Sequence, residues 1–152
     1  MPVDKQMQEV LRIPRERPPV AELLGLELQS VGPGIASFTL EVGERHHNPM
    51  GSVHGGILSD LADIAMGYAV ISTLAPDETF TTLELKVNFL RPVFQGKVRC
   101  LARVDQRGRT IAYAVADVYN EEGKVVAKAV GTNLIIKRSG EADAFHHKPR
   151  SG

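Results

Sequence analysis

At 152 residues, 43% of them hydrophobic and with no long polar tract, the chain is sized for a single domain with a substantial core. Lys plus Arg equals Asp plus Glu at 18 each, so overall charge gives no ground for a nucleic-acid or polyanion partner. The one cysteine, Cys100, has no intramolecular disulfide partner, and neither a secretory leader nor an apolar run of membrane-spanning length is evident, so a soluble cytoplasmic protein without membrane contact is expected.

Residues 1–19 read as an N-terminal arm, in which Met7, Val10 and Leu11 make a weak helical pattern ended by Pro14 and the Pro18-Pro19 break. Pro19 to Leu24 suits one helical turn. Leu26 and Leu28 then alternate with Glu27 and Gln29 as a first strand, and Gly32-Pro33-Gly34 closes a hairpin. The second strand puts Ala36, Phe38, Leu40 and Val42 on one face and Ser37, Thr39 and Glu41 on the other. From His46 to Val70 a polar loop ending in His54-Gly55-Gly56 runs into a segment whose Ile57, Leu58, Leu61, Ala62, Ile64, Ala65, Tyr68 and Ala69 cover most of a helix circumference, which predicts a buried helix.

Pro76 and Asp77 stop that helix. Beyond them Leu83, Leu85, Val87 and Phe89 alternate with Thr82, Glu84, Lys86 and Asn88, the pattern of a strand with one buried face. A fourth strand follows over Lys97 to Asp105. The turns Arg107-Gly108-Arg109 and Asn120 to Gly123 bracket a fifth over Thr110 to Tyr119, and a sixth runs from Lys124 to about Ile136. Residues 137–152, with His146-His147, are polar and aperiodic and read as a flexible surface tail. The fold class is therefore α+β over residues 20–136, an antiparallel sheet wrapped around one central helix. Ala112, Ala114, Ala116, Ala127 and Ala129 allow close packing, but one helix cannot cover such a sheet, so a second subunit is expected at its edges.

The chemistry concentrates around the helix entry. A helix N-terminus offers unpaired N–H groups at the positive end of a dipole, and glycines let a ligand approach them. Gly55-Gly56 is thus either an oxyanion site, with the Gly55 N–H meeting a developing negative charge (a contact worth about 100- to 1,000-fold in rate), or simply a tight entry turn. Asp63 lies about two turns into the helix, past the turn where a carboxylate complements the dipole; Asp60 is assigned that structural role. A carboxylate on an apolar helix is costly unless paired or functional, so Asp63 is either a base or nucleophile, or the partner of a core N–H or Arg. Asn48 either orients water or substrate, or makes an Asx-turn before Pro49. His54 is placed to orient the loop. A metal set drawn from His46, His47, His54 and Asp60 does not match usual ligand spacings, so none is assigned. No Gly-x-Ser-x-Gly motif occurs and Cys100 falls within a strand pattern, which leaves hydrolysis by a carboxylate.

Asn48, then His54-Gly55-Gly56, then Asp63, followed by the Leu83 to Pro92 strand with its closing Arg-Pro, resembles the hotdog-fold acyl-CoA thioesterases, and among them the phenylacetic-acid-pathway type. The resemblance spans roughly Val20 to Ile136. It implies an antiparallel sheet around one long helix and hydrolysis of an aryl or aliphatic acyl-CoA. It implies that Gly55 polarises the thioester carbonyl, that Asn48 positions substrate or water with His54 and Gly56 alongside, that Asp63 is nucleophile or general base, and that the Thr82 hydroxyl lies near the attacking water. It further implies a homodimer with Gly55 and Asn48 from one subunit facing Asp63 and Thr82 from the other, pairing of dimers into a homotetramer, and coenzyme A phosphates held by Arg91 and by Arg107, Gly108, Arg109 and Thr110. Coenzyme A is part of the substrate and no separate cofactor is expected. The alternatives on the same fold are a hydratase or dehydratase, disfavoured because His54 belongs to the glycine motif, and a non-catalytic acyl-CoA-binding protein. A DNA-binding sensor would need a helix-turn-helix that the arm is too short to supply.

Overall fold

In the computed structural model, which describes residues 17–138, the period-two segments pair into one sheet. The elements are α1 (Pro19–Leu24), β1 (Leu26–Gly32), β2 (Ile35–Val42), a 3-10 turn (Glu44–His46), α2 (Gly55–Ile71), β3 (Glu78–Phe89), β4 (Gly96–Arg107), β5 (Ile111–Tyr119) and β6 (Val125–Lys137). The sheet has six strands in the order β1-β2-β4-β5-β6-β3, every neighbouring pair antiparallel. The helical pattern at Met7, Val10 and Leu11 and the His146-His147 tail lie outside the described residues. The expected helical turn forms as α1, opened by Pro19, whose missing N–H costs nothing there, and closed by Gly25 at φ 78°.

Helix α2 packs mainly across β2, β4 and β5. Small residues on both sides let it sit close: Ala62, Ala65 and Ala69 on the helix and Ala102, Ala112 and Ala114 on the sheet are all fully buried. Larger side chains fill the ends of this layer, with Phe38 of β2 meeting Tyr68 of α2 edge to face at 4.9 Å and 81°. The second face of β2 is less open than its alternation suggests, because Ser37 and Thr39 are buried too, Thr39 under the Gln29 amide at 2.8 Å. At its far end the helix is tied to the β1–β2 turn, where the Gly34 N–H donates to Ser72 Oγ at 2.7 Å.

The chain crosses after α2 to the far edge of the sheet, so β3 has one strand neighbour, β6, and one open edge. Here the expectation of a buried face fails. Leu83 is 58% exposed and Phe89 53%, with Leu85 also open. The registers Leu85↔Gly131, Val87↔Ala129 and Phe89↔Ala127 put these residues on the helix side of the sheet, but α2 is centred over β2, β4 and β5 and leaves them largely uncovered, with only the tip of Phe89 meeting the helix start at Gly55; a register shift at Leu83 turns that residue out of the alternation. No helix among the described residues is long and apolar enough to cross a membrane.

Leu61 lies at the centre of the helix–sheet layer and is fully buried. Leu61→Ala is expected to cost about 2–5 kcal/mol, since tightly packed alanines on the facing strands leave little scope for collapse, and urea unfolding measures it.

Candidate active site

The loop before α2 is held by its own polar side chains. Asn48 Oδ1 accepts from the N–H groups of Met50 and Ser52 at 2.9 and 3.2 Å, while its Nδ2 donates to Ser52 Oγ at 2.9 Å. The Asx-turn reading of Asn48 is therefore the one present. The histidines are equally committed: buried His46 accepts from the Gly43 N–H through Nδ1 and lies 2.7 Å from the Leu24 carbonyl through Nε2, and His47 Nε2 lies 2.8 Å from the Phe94 carbonyl. His54 is the N-cap of α2, its Nδ1 accepting from the Gly56 N–H at 2.9 Å. Among the described residues no three His, Cys, Asp or Glu side chains gather as a metal site.

That cap uses the Gly56 N–H and leaves the Gly55 N–H, at the first helical position, without an acceptor among the described residues. The tip of the Phe89 ring lies 2.8 Å from where a Cβ on Gly55 would stand, so a side chain at this position would displace that ring. Asn48, Ser52, Gly55, Leu58, Phe89 and Arg91 line a depression of about 360 Å³ at this helix start. A larger hollow of about 720 Å³ lies on the outer sheet face among Glu41, Lys97, Arg99 and Glu121 and contains none of the motif residues.

Asp63 stands two turns further along, on the flank of α2 that turns toward β3. Burial pushes its carboxyl above the ordinary value of 3.8, the like charge of Asp60 one turn earlier pushes the same way, and hydrogen bonding with the Thr82 hydroxyl pulls partly back. Among the described residues no Lys or Arg forms an ion pair with it. Asp60 is not the first-turn residue expected. The helix starts at Gly55, which leaves Asp60 in the second turn, where burial raises its own carboxyl. Thr82 Oγ1 in turn donates to Asn133 Oδ1 at 3.2 Å, and the amide of Asn133 donates to the Ala112 carbonyl at 3.3 Å. Asn133 is a site neighbour the sequence reading missed; its signal was a polar residue at a core-facing position of β6, between Gly131 and Ile135 in the same period-two register.

The structure therefore gathers Asn48, Gly55 and Arg91 in one cluster and Asp63 and Thr82 in another. The expected phosphate-binding set divides as well. Arg91 is at the start of α2, whereas Arg107 is at its far end, bonded to Thr73 Oγ1 at 3.2 Å, to the Gly108 carbonyl and to Glu78 at 2.5 Å. Arg107 thus staples β4 to β3 and the helix end. Gly108 and Thr110 shape the β4–β5 turn through backbone bonds to Ile111 and Ile135, and Arg109 is exposed. Cys100 is fully buried and its thiol is pushed up to about 12, by burial first and by Asp117 second, so it is no nucleophile.

One long helix laid over a six-stranded antiparallel sheet is the hotdog fold, and its helix carries a free N–H at its start and a raised carboxyl two turns on. A sequence profile described as the Thioesterase superfamily matches residues 50–127, spanning the helix entry, α2, β3 to β5 and the first residues of β6. The chain belongs to that superfamily and is a thioester hydrolase. It is 31% identical to the 1,4-dihydroxy-2-naphthoyl-CoA hydrolase of Listeria monocytogenes over 77% of this chain and 95% of that one. Among solved structures it is similar to a Haemophilus influenzae thioesterase (30% identity, TM-score 0.75, 84% of this chain and 87% of that one) and to the PaaI protein of the E. coli phenylacetic acid degradation operon (30%, TM-score 0.73, 79% and 86%).

Because the Asp63 carboxyl is raised, folding disfavours its ionised form. The penalty is absent below the ordinary value of 3.8, where folded and unfolded chains both hold the proton, and it grows as pH rises through that value and above. Asp63→Asn is accordingly expected to raise Tm at pH 7 and to lose that advantage at about pH 3, as scanning calorimetry at the two pH values reads out.

Proposed function

We propose that the protein hydrolyses acyl-coenzyme A thioesters, with the carbonyl oxygen on the Gly55 N–H of one subunit and Asp63 of a second subunit acting as general base on water. Water oxygen attacks the carbonyl carbon as its proton passes to Asp63. The tetrahedral oxyanion rests on the Gly55 N–H at the positive end of α2, and its collapse breaks the C–S bond, releasing the carboxylic acid and the thiolate of coenzyme A. The scheme uses a side chain, a backbone N–H and water, and calls on no cofactor. A carboxyl raised by burial is a stronger base than an exposed one, which suits it to this role at neutral pH.

The observation that carries the reading is the spacing of the two groups on α2. Gly55 and Asp63 are eight residues apart, hence about 12 Å along the axis and about 80° around it. One reacting carbon has to lie about 3–3.5 Å from both the attacking water and the oxyanion donor. The two groups of one chain do not meet that condition, and a twofold-related copy supplies the missing half. The open edge of β3, with Leu83, Leu85 and Phe89 uncovered, is the surface such a copy would extend and cover. In this reading Asn48 and His54 hold the Gly55 loop rather than touch water, Thr82 orients Asp63, and Arg91 faces the coenzyme A phosphates at the helix start; Arg109 and Thr110 reach them only from the other subunit's far end. Pairing of dimers into a tetramer would draw on the outer sheet face, where Ile35, Leu101, Ile111 and Tyr113 are exposed. The naphthoyl-CoA and phenylacetic-acid names of similar proteins support an aryl or aryl-acetyl thioester as first substrate to try.

Thiol release from a panel of phenylacetyl-, hydroxybenzoyl- and short to long aliphatic acyl-CoAs tests the chemistry. Asp63→Ala is expected to lower kcat about 100- to 10,000-fold on whichever member is turned over; turnover at the wild-type rate in that variant would end the proposal. Leu85→Lys on the exposed β3 face is expected to leave a folded monomer in sedimentation velocity, with hydrolysis lost alongside the dimer. A fully active monomer would refute the shared site.

A further inference from the structure

Asn133 is fully buried in β6, between Gly131 and Ile135 on the same face and beside Thr82 and Ala112 on the neighbouring strands, and a buried carboxamide there needs a reason. Its orientation is fixed from behind. The amide nitrogen faces the Ala112 carbonyl at 3.3 Å, so the carboxamide oxygen must face Thr82, 3.2 Å from Oγ1. The Thr82 hydroxyl has a single proton and lies between two acceptors, this oxygen and the Asp63 carboxyl.

We propose that Asn133 is a positioning residue acting on Asp63 through Thr82: its Oδ1 is the alternative acceptor that receives the Thr82 proton whenever Asp63 carries one. With Asp63 ionised, the Thr82 O–H donates to the carboxylate and Asn133 Oδ1 is left without its donor. Once Asp63 has taken a proton from water, the new Asp63 O–H donates to Thr82 Oγ1 and the Thr82 O–H rotates to Asn133. Two hydrogen bonds then exist where one did before, with no covalent bond other than that of the transferred proton changed. Asn133 thus favours the protonated carboxyl and makes Asp63 a stronger base, while Thr82 alone would make it a weaker one. The other charged group facing Asp63 is Asp60 on the same helix; β3 and β6 present to it the hydroxyl and the amide, and no cation pairs with it among the described residues.

The inference rests on the reading of Asp63 as base for its catalytic meaning, but its test reads the carboxyl directly. The titration of Asp63 is followed by 13C NMR of aspartate-labelled full-length protein, assigned with Asp63→Asn, beside the pH profile of kcat/KM. In Asn133→Leu, near-isosteric and without an acceptor, both the titration midpoint and the acid limb are expected to move to lower pH by roughly half a unit, the scale of one hydrogen bond net of water. Thr82→Val removes the hydroxyl through which Asn133 acts, so the Asn133 effect is expected to vanish in that background and the double variant should match Thr82→Val alone. Asn133→Ala serves if the leucine variant does not fold. An Asp63 midpoint that stays put or rises in the Asn133 variants, or an Asn133 effect that persists without the Thr82 hydroxyl, would overturn the inference. A moved midpoint together with full hydrolysis by Asp63→Ala would instead sink the base reading and leave the relay standing.

Discussion

A helix about 10 Å across lies on a sheet whose six strands span about 24 Å, and nearly every other property of the molecule answers to that mismatch. The helix covers the middle. There the layer is dry and close, with alanines on both sides, and the sequence is under strict packing constraint. At the β3 margin the same sheet has apolar side chains on its inner face that the helix leaves largely uncovered. Gly55 and Asp63, the candidate site residues of α2, lie toward the boundary between the two regimes. A carboxylate deeper in the layer would be too costly to ionise, and one on the far face would be too well solvated to act as a strong base.

The local devices follow from this placement. Residues 46–54 are tied down by imidazole and amide bonds to backbone groups, so that the Gly55 N–H is presented on a rigid rim and not on a mobile loop. Behind Asp63 the polar atoms form a single file, hydroxyl to amide to carbonyl, running inward to β5. A file of this kind fixes orientation without supplying counter-charge, so burial, reinforced by the charge of Asp60, keeps the carboxyl raised. Had a lysine or arginine stood in place of Thr82, the fold would gain an ion pair and the carboxylate would become a poor base.

Much of this was legible in the sequence because it rests on periodicity. The alternation in β2, β4 and β5, the continuous apolar surface of α2 and the Pro-Gly and Asn-to-Gly turns each reflect a local rule; those three strands formed within a residue or two of their expected ends, while α2 stops at Ile71, short of the Pro76 expected to end it. Where the sequence misled, the deciding fact was tertiary. Leu83 to Phe89 has the alternation of a buried strand, and no local pattern records that β3 goes to the sheet margin. Arg107 beside Gly108 and Arg109 looks like a free basic cluster, and its commitment to Glu78 and Thr73 depends on residues 29 and 34 positions away. Asp60 was credited to the helix dipole, but a helix that starts at Gly55 puts it in the second turn. Asp63 and Gly55 stand out as candidates because both break a strong pattern, one by a charge and one by the loss of a side chain. Asn133 breaks a pattern as well, more quietly, as one amide in an alanine and glycine register.

The buried thiol of Cys100 has a practical side. It is the protein's one cysteine, sealed beneath α2 and held protonated well beyond neutral pH. A chromogenic disulfide therefore meets a silent enzyme, and the colour that develops counts only the thiol released from a thioester, even at enzyme concentrations high enough to watch a single turnover. The same silence makes any surface cysteine introduced elsewhere a unique handle, so that a dye pair placed across the β3 margin would report the meeting of two subunits without first removing a native thiol.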